Sequence, residues 1–273
     1  MNRIKLLISG TLLLAATAFA ATNIQSQNLK GTKVNQIVPT VLLIHGAFAD
    51  SSSWAGVVTR LQTAGVKVIA VSNPLRGLSY DGEYVASVAK QIEGPVLLVG
   101  HSYGGPVITY AGSKAGNVKG LVFIASFGID KGQSVNDSTA AFAPPLLATS
   151  IEPKQFPEGK SNGVELFIQA DKFAKVFAAD VPADKLPVLA VSQRPVAAAA
   201  FGEPLAVEPA WKSLPSWFLV TTQDNAINPD SQRAAAKRMK ATVTEVAASH
   251  AVMVSQPGKV ANFILDAVTA TRQ

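Results

Sequence analysis

Four short apolar runs constrain this chain more than any other feature of it. They are TVLLIHG at 40–46, VKVIAVSN at 66–73, GPVLLVG at 94–100 and VKGLVFIASF at 118–127. Apolar residues sit at consecutive positions in them, so a strand built from such a run needs cover on both faces. Between the runs lie segments with helical character: SSSWAGVVTRLQTAG at 51–65, a helix within SYDGEYVASVAKQI at 79–92, and GGPVITYAGSK at 104–114. Cap-type serines open the first of these and Gly65 closes it. Doubly covered strands alternating with helices predict an α/β fold, a parallel sheet with helices on both faces.

The alternation stops near Gly128 and resumes at Ser216. The interval holds ten of the sixteen prolines and six of the twelve phenylalanines, which reads as helices and loops inserted outside the sheet. Then SWFLVTTQD (216–224) and ATVTEVAAS (241–249) read as strands, and PDSQRAAAKRMK (229–240) and PGKVANFILDAVTAT (257–271) as helices. The expected plan is a core of 40–127 and 216–273 with a cap at 128–215. With 273 residues, 48% of them hydrophobic, the chain can bury one large core.

The first residues obey other rules. A basic start, MNRIK, precedes the apolar LLISGTLLLAATAFA, and Ala18-Phe19-Ala20 has the A-x-A form of a cleavage site. Residues 1–20 read as a secretory signal peptide, which predicts an exported protein, periplasmic or extracellular, with no stable membrane anchor after cleavage. Residues 21–39 form a polar lead-in. Losing Arg3 and Lys5 with the signal takes the formal charge from +6 to +4. That is mild, and no Lys/Arg cluster is interleaved with aromatics, so nucleic-acid binding is not expected. With no cysteine in the chain, disulfide and thiol chemistry are excluded.

Gly100-His101-Ser102-Tyr103-Gly104 fits G-x-S-x-G between a predicted strand and a predicted helix. That context makes Ser102 a candidate nucleophile on a sharp strand-to-helix turn. A serine hydroxyl needs a general base, and the chain has only three histidines. His101 adjoins the serine and should point away from the substrate. His45 is read as organising its loop. His250, past the last strand, lies where parallel sheets place their sites. The base needs an acid to orient it. Asp224, at the end of its strand, gives the order Ser102, Asp224, His250. Asp130, Asp137 and Asp230 compete, the last more as a helix starter. Two backbone N–H groups are needed for an oxyanion, and Tyr103 and Ala47 are the candidates. Phe48 and Tyr103 are placed near the floor of a substrate pocket.

On HGA with its following tryptophan, GHSYGG and the late histidine, residues 40–270 resemble the α/β-hydrolase superfamily, in particular its small-esterase and hydroxynitrile-lyase-like branch. The resemblance implies an α/β-hydrolase fold with a lid formed by the insert. Two departures bear on the reading. Only a short segment precedes TVLLIHG, where full members have a leading β-hairpin, so about six strands are expected. Similar lyases carry threonine at the position of Ala47 and lysine at that of Ala251. An exported serine hydrolase of a small carboxylic ester or lactone is therefore expected, with no cofactor and no metal. The alternatives are a lyase-like or cofactor-free peroxidase-like member, and a non-catalytic ligand-binding protein on the same fold.

Overall fold

The computed structural model describes residues 37–273. The expected signal peptide, 1–20, and nearly all of the lead-in lie outside the described residues. Six strands form the main sheet: β1 (Thr40–Ile44), β2 (Val68–Val71), β3 (Val96–His101), β4 (Val118–Ile124), β8 (Ser216–Thr221) and β9 (Thr242–Val246). Their order is β2-β1-β3-β4-β8-β9, and every neighbouring pair is parallel.

Alternate side chains divide the core in two. Leu42 and Ile44 of β1, Leu98 of β3 and Phe123 of β4 face one layer, with α2 (Leu78–Lys90) and α3 (Gly104–Lys114). Val41, Leu43, Val99 and Val122 face the other, with α1 (Ala55–Thr63) and α10 (Pro257–Ala270). In β1, β3 and β4 a period of two with both sets buried explains why the runs are apolar throughout. The run at 66–73 departs from that expectation: β2 is an edge strand, only partly covered, with Ile69 exposed. The helix α8 (Pro229–Arg238) and the short α9 (Val252–Ser255) complete the core. Asp50, rather than the serines after it, caps the 3₁₀ turn leading into α1, its carboxylate accepting from the Ser52 N–H at 2.7 Å.

The insert departs from the helix-and-loop expectation. It does carry short helices: α4 (Val135–Thr139), α5 (Phe173–Phe177), α6 (Leu186–Val191) and α7 (Ala198–Gly202). It also carries a three-stranded antiparallel sheet of β5 (Ile151–Glu158), β6 (Ser161–Ile168) and β7 (Val196–Ala197). Pro153 and Pro157 made β5 read as a loop. The strand is the edge of its sheet, and the two prolines share parity. Their missing N–H groups fall on the side away from β6, where no ladder bond is lost.

The strand order reverses around β1, which has β2 on one side and β3 on the other. Loops leaving the carboxyl ends of β1 and β3 therefore flank a crevice, the usual binding position in such sheets.

Candidate active site

Ser102 stands in that crevice between β3 and α3, with φ of 53°. A side chain occupies this left-handed region only where its surroundings hold it. Here the Ser102 N–H donates to the Ile124 carbonyl at 3.1 Å, and the Ser102 carbonyl accepts from the Gly105 N–H at 3.0 Å. A Cβ at Gly100 would meet the backbone of Gly104, so only glycine lets the strand and helix close on each other.

His250 lies past β9, in the turn before α9. Its Nδ1 is 2.8 Å from Asp224 Oδ2. An ionised carboxylate only accepts, so Nδ1 carries the hydrogen and Nε2 keeps a lone pair. Asp224 follows β8 and is held from four other directions. Its Oδ1 accepts from the Ala226 and Ile227 N–H groups at 2.8 and 2.9 Å. Its Oδ2 accepts from Thr221 Oγ1 and Gln232 Nε2 at 2.8 and 2.9 Å. The competing acids are engaged elsewhere. Asp130 pairs with Lys212, Asp137 caps α4 against Ser134, and Asp230 pairs with Arg233 in the first turn of α8. Ser102 Oγ makes no hydrogen bond to His250 among the described residues, although both side chains line one cavity. Serine–base contacts are often loose before substrate arrives.

The other two histidines are neutral props. His45 Nδ1 donates to the Gly46 carbonyl at 2.9 Å, and its Nε2 accepts from the Asn73 N–H at 3.0 Å. Burial pulls its pKa down to about 4. His101 is buried, and its Nε2 donates to the His250 carbonyl at 3.0 Å. Burial first, and the neighbouring His250 second, hold its pKa well below the ordinary histidine value. His101 therefore braces the His250 loop without competing for a proton.

Ala47 and Phe48 follow β1 and line the cavity with Ser102. Phe48 has φ of 61° and donates its N–H to the Arg194 carbonyl of the insert at 3.0 Å. The N–H groups of Ala47 and Tyr103 donate to nothing among the described residues. The placement of the Tyr103 side chain near the pocket floor is corrected. It is fully buried away from the cavity, with its hydroxyl donating to Asp81 Oδ2 at 3.0 Å. The left-handed turn at Ser102 sends the next side chain under α2.

The cavity measures about 470 Å³. The core supplies Ser102, His250, Ala47 and Phe48. The insert supplies α4, the segment through Ala148, and Leu166 and Phe201. Among the described residues its lining holds no Lys, Arg, Asp or Glu. Asn228 spends its amide on the Ala143 carbonyl and the Asp230 N–H, and the Thr139 hydroxyl turns back to its own helix. Of the insert's phenylalanines, Phe142 and Phe201 line the cavity, while Phe173 and Phe177 are buried in packing. No group of three or more His, Cys, Asp or Glu side chains among the described residues is arranged to hold a metal.

Sequence reasoning missed Thr221, Gln232 and Asp81. Thr221 left a weak trace, a hydroxyl ending an otherwise apolar strand. Gln232 left none, because only the packing of α8 brings it to Asp224.

A family model described as the alpha/beta hydrolase family matches residues 41–263. A pyrethroid hydrolase of Sphingobium wenxiniae is 26% identical over 247 residues, 84% of this chain and 87% of that protein. Among solved structures, a pyrethroid hydrolase from Sphingobium faniae superposes with a TM-score of 0.74 at 23% identity, covering 86% of this chain and 98% of that one. Polyneuridine aldehyde esterase gives a TM-score of 0.74 at 20% identity, covering 85% and 99%.

Proposed function

The chain belongs to the alpha/beta hydrolase family, and from that membership we propose that it is a serine hydrolase of small, uncharged carboxylic esters. The observation that carries the reading is one cavity shared by Ser102 and His250, whose Nδ1 is held by the Asp224 carboxylate at 2.8 Å. Similarity to a pyrethroid hydrolase adds support for ester cleavage.

In this mechanism Ser102 Oγ attacks the ester carbonyl while His250 Nε2 takes its proton. Asp224 fixes the tautomer and stabilises the imidazolium that forms. The oxyanion receives the unspent N–H groups of Ala47 and Tyr103. His250 returns the proton to the departing alcohol, leaving an acyl group on Ser102. Water, deprotonated by the same histidine, releases the acid. The cavity wall offers no charged side chain to the rest of the substrate, and among its polar side chains other than Ser102 and His250 only the Asn136 amide is left without a partner among the described residues, so both sides of the ester are uncharged and largely hydrocarbon-like. The methyl groups of Ala47 and Ala251 supply neither the hydroxyl nor the ammonium of the similar lyases, which favours hydrolysis. The signal-like 1–20 segment makes the proposed place of action outside the cytoplasm.

The test is hydrolysis of p-nitrophenyl esters of increasing acyl length, in wild type and Ser102→Ala. The variant should lose about three orders of magnitude or more in kcat. Equal rates in both proteins, or no wild-type turnover on any ester, would overturn the proposal.

A further inference from the structure

The Ser102–Tyr103 peptide bond joins the nucleophile to an oxyanion donor, and its orientation decides where the Tyr103 N–H points. In a trans peptide the C=O and the following N–H point in opposite directions, and no cis bond occurs among the described residues. Whatever grips the Ser102 carbonyl therefore aims the Tyr103 N–H. One grip is local, from the Gly105 N–H. The other comes from a different strand: Ser126 Oγ donates to the Ser102 carbonyl at 2.7 Å.

Ser126 is fully buried and lies two residues past β4. Its approach is contrived by the backbone. Ala125 adopts φ of 43°, a left-handed turn that a non-glycine residue makes only under restraint. The turn folds Ser126 back beneath the nucleophile. Gly105 leaves the room, since a Cβ there would collide with Ser126 Oγ. The hydroxyl also contacts the Phe127 carbonyl at 3.3 Å, but the shorter bond is to Ser102.

We propose that Ser126 is a positioning residue for the oxyanion hole, fixing the Ser102–Tyr103 peptide so that the Tyr103 N–H faces the developing negative charge. The proposal rests on the serine-hydrolase reading above. Ser126 touches no substrate. It acts by restricting rotation of a peptide whose other constraint, a single bond from Gly105, lies within the same turn. Its contribution is therefore felt in the tetrahedral state and little in ground-state binding.

The experiment compares wild type, Ser126→Ala and Ser126→Cys in three assays. They are p-nitrophenyl ester kinetics, inhibition by a trifluoromethyl ketone of matched chain length, and inhibition by the corresponding methyl carbinol. The ketone forms an anionic hemiketal with the serine, and the carbinol reports ground-state fit. For Ser126→Ala, kcat and ketone affinity should fall together by about 10- to 100-fold, below the about 100- to 1,000-fold cost of deleting an oxyanion donor outright. KM and carbinol affinity should stay within about twofold. Ser126→Cys, a weaker donor of similar shape, should fall between the two. Thermal unfolding midpoints identify any variant that fails to fold, and the cysteine variant then carries the comparison. Unchanged kcat and ketone affinity in folded variants overturn the proposal, as does an equal loss of carbinol affinity, which marks a merely structural serine. A wild type that neither turns over esters nor binds the ketone overturns the hydrolase reading itself, and this inference with it.

Discussion

Asp224 is the residue on which the proposed chemistry can be tested most sharply, because sequence left it three rivals. Five donors converge on its carboxylate, His250 Nδ1 among them. Asp224→Asn keeps the shape and puts an N–H where only an acceptor serves, so His250 loses the tautomer it needs. We expect kcat to drop by about 10⁴, measured as steady-state ester hydrolysis. Asp130→Asn and Asp230→Asn, which remove only partly exposed ion pairs, should leave kcat within about twofold. A large loss in either of those, or a small one in Asp224→Asn, would reassign the acid. At this scale the meeting of Ser102 and His250 in one cavity was readable because glycine spacing and a shortage of histidines narrowed the choice. The donors around Asp224 were not: Gln232 reaches it only after α8 packs on β8, and Thr221, three residues away, reaches it through the local course of the turn after β8. The burial of Tyr103 was hidden for a related reason: side-chain direction after a left-handed turn is not a property of residue type.

The start of α2 behaves as an element with its own pH response. Its N-cap position is Gly77, which has no side chain to offer. Glu203 of the insert takes that role, accepting from the Leu78 and Ser79 N–H groups at 2.6 and 3.1 Å. One turn on, Asp81 is buried, accepting from Tyr103 Oη and the Arg76 N–H. Burial drives its pKa from 3.8 up to about 6, against the opposing effect of those hydrogen bonds and with nearby Glu203 adding to the rise. The folded state therefore holds this proton more tightly than the unfolded chain. Stability contributed here is present at low pH and is lost as pH climbs from 3.8 to about 6. Asp81→Asn should flatten that slope. Unfolding midpoints of both proteins between pH 4 and 8 would show it, and parallel curves would refute it. Among elements, the core strands were legible because burial on both faces writes unbroken apolar runs. The β5–β6 hairpin was not, because its prolines look like breakers until the strand is known to be an edge.

For the whole molecule, the uncharged cavity sets a rule on substrates. A neutral p-nitrophenyl ester should exceed in kcat/KM, by about tenfold or more, a matched ester ending in a carboxylate or an ammonium, because burying an unpaired charge in such a wall is costly. Equal kcat/KM for the neutral and charged esters would contradict the apolar reading of the wall. The alternation of strands and helices announced a parallel sheet, but not that β8 would lie beside β4, since that pairing leaps the whole insert. The insert is also bonded to three of the loops that the proposed reaction depends on. Arg194 takes the Phe48 N–H after β1, Phe177 takes the Ala251 N–H after β9, and Leu147 gives its N–H to Asn225 after β8. Such a part does not behave as an interchangeable module. A foreign insert grafted between β4 and β8 would bring a new chamber and leave all three loops without their anchors. Changes of diet in this lineage are therefore expected to proceed by repainting the wall one side chain at a time, at Phe142, Leu147 or Phe201, under a roof that stays the same.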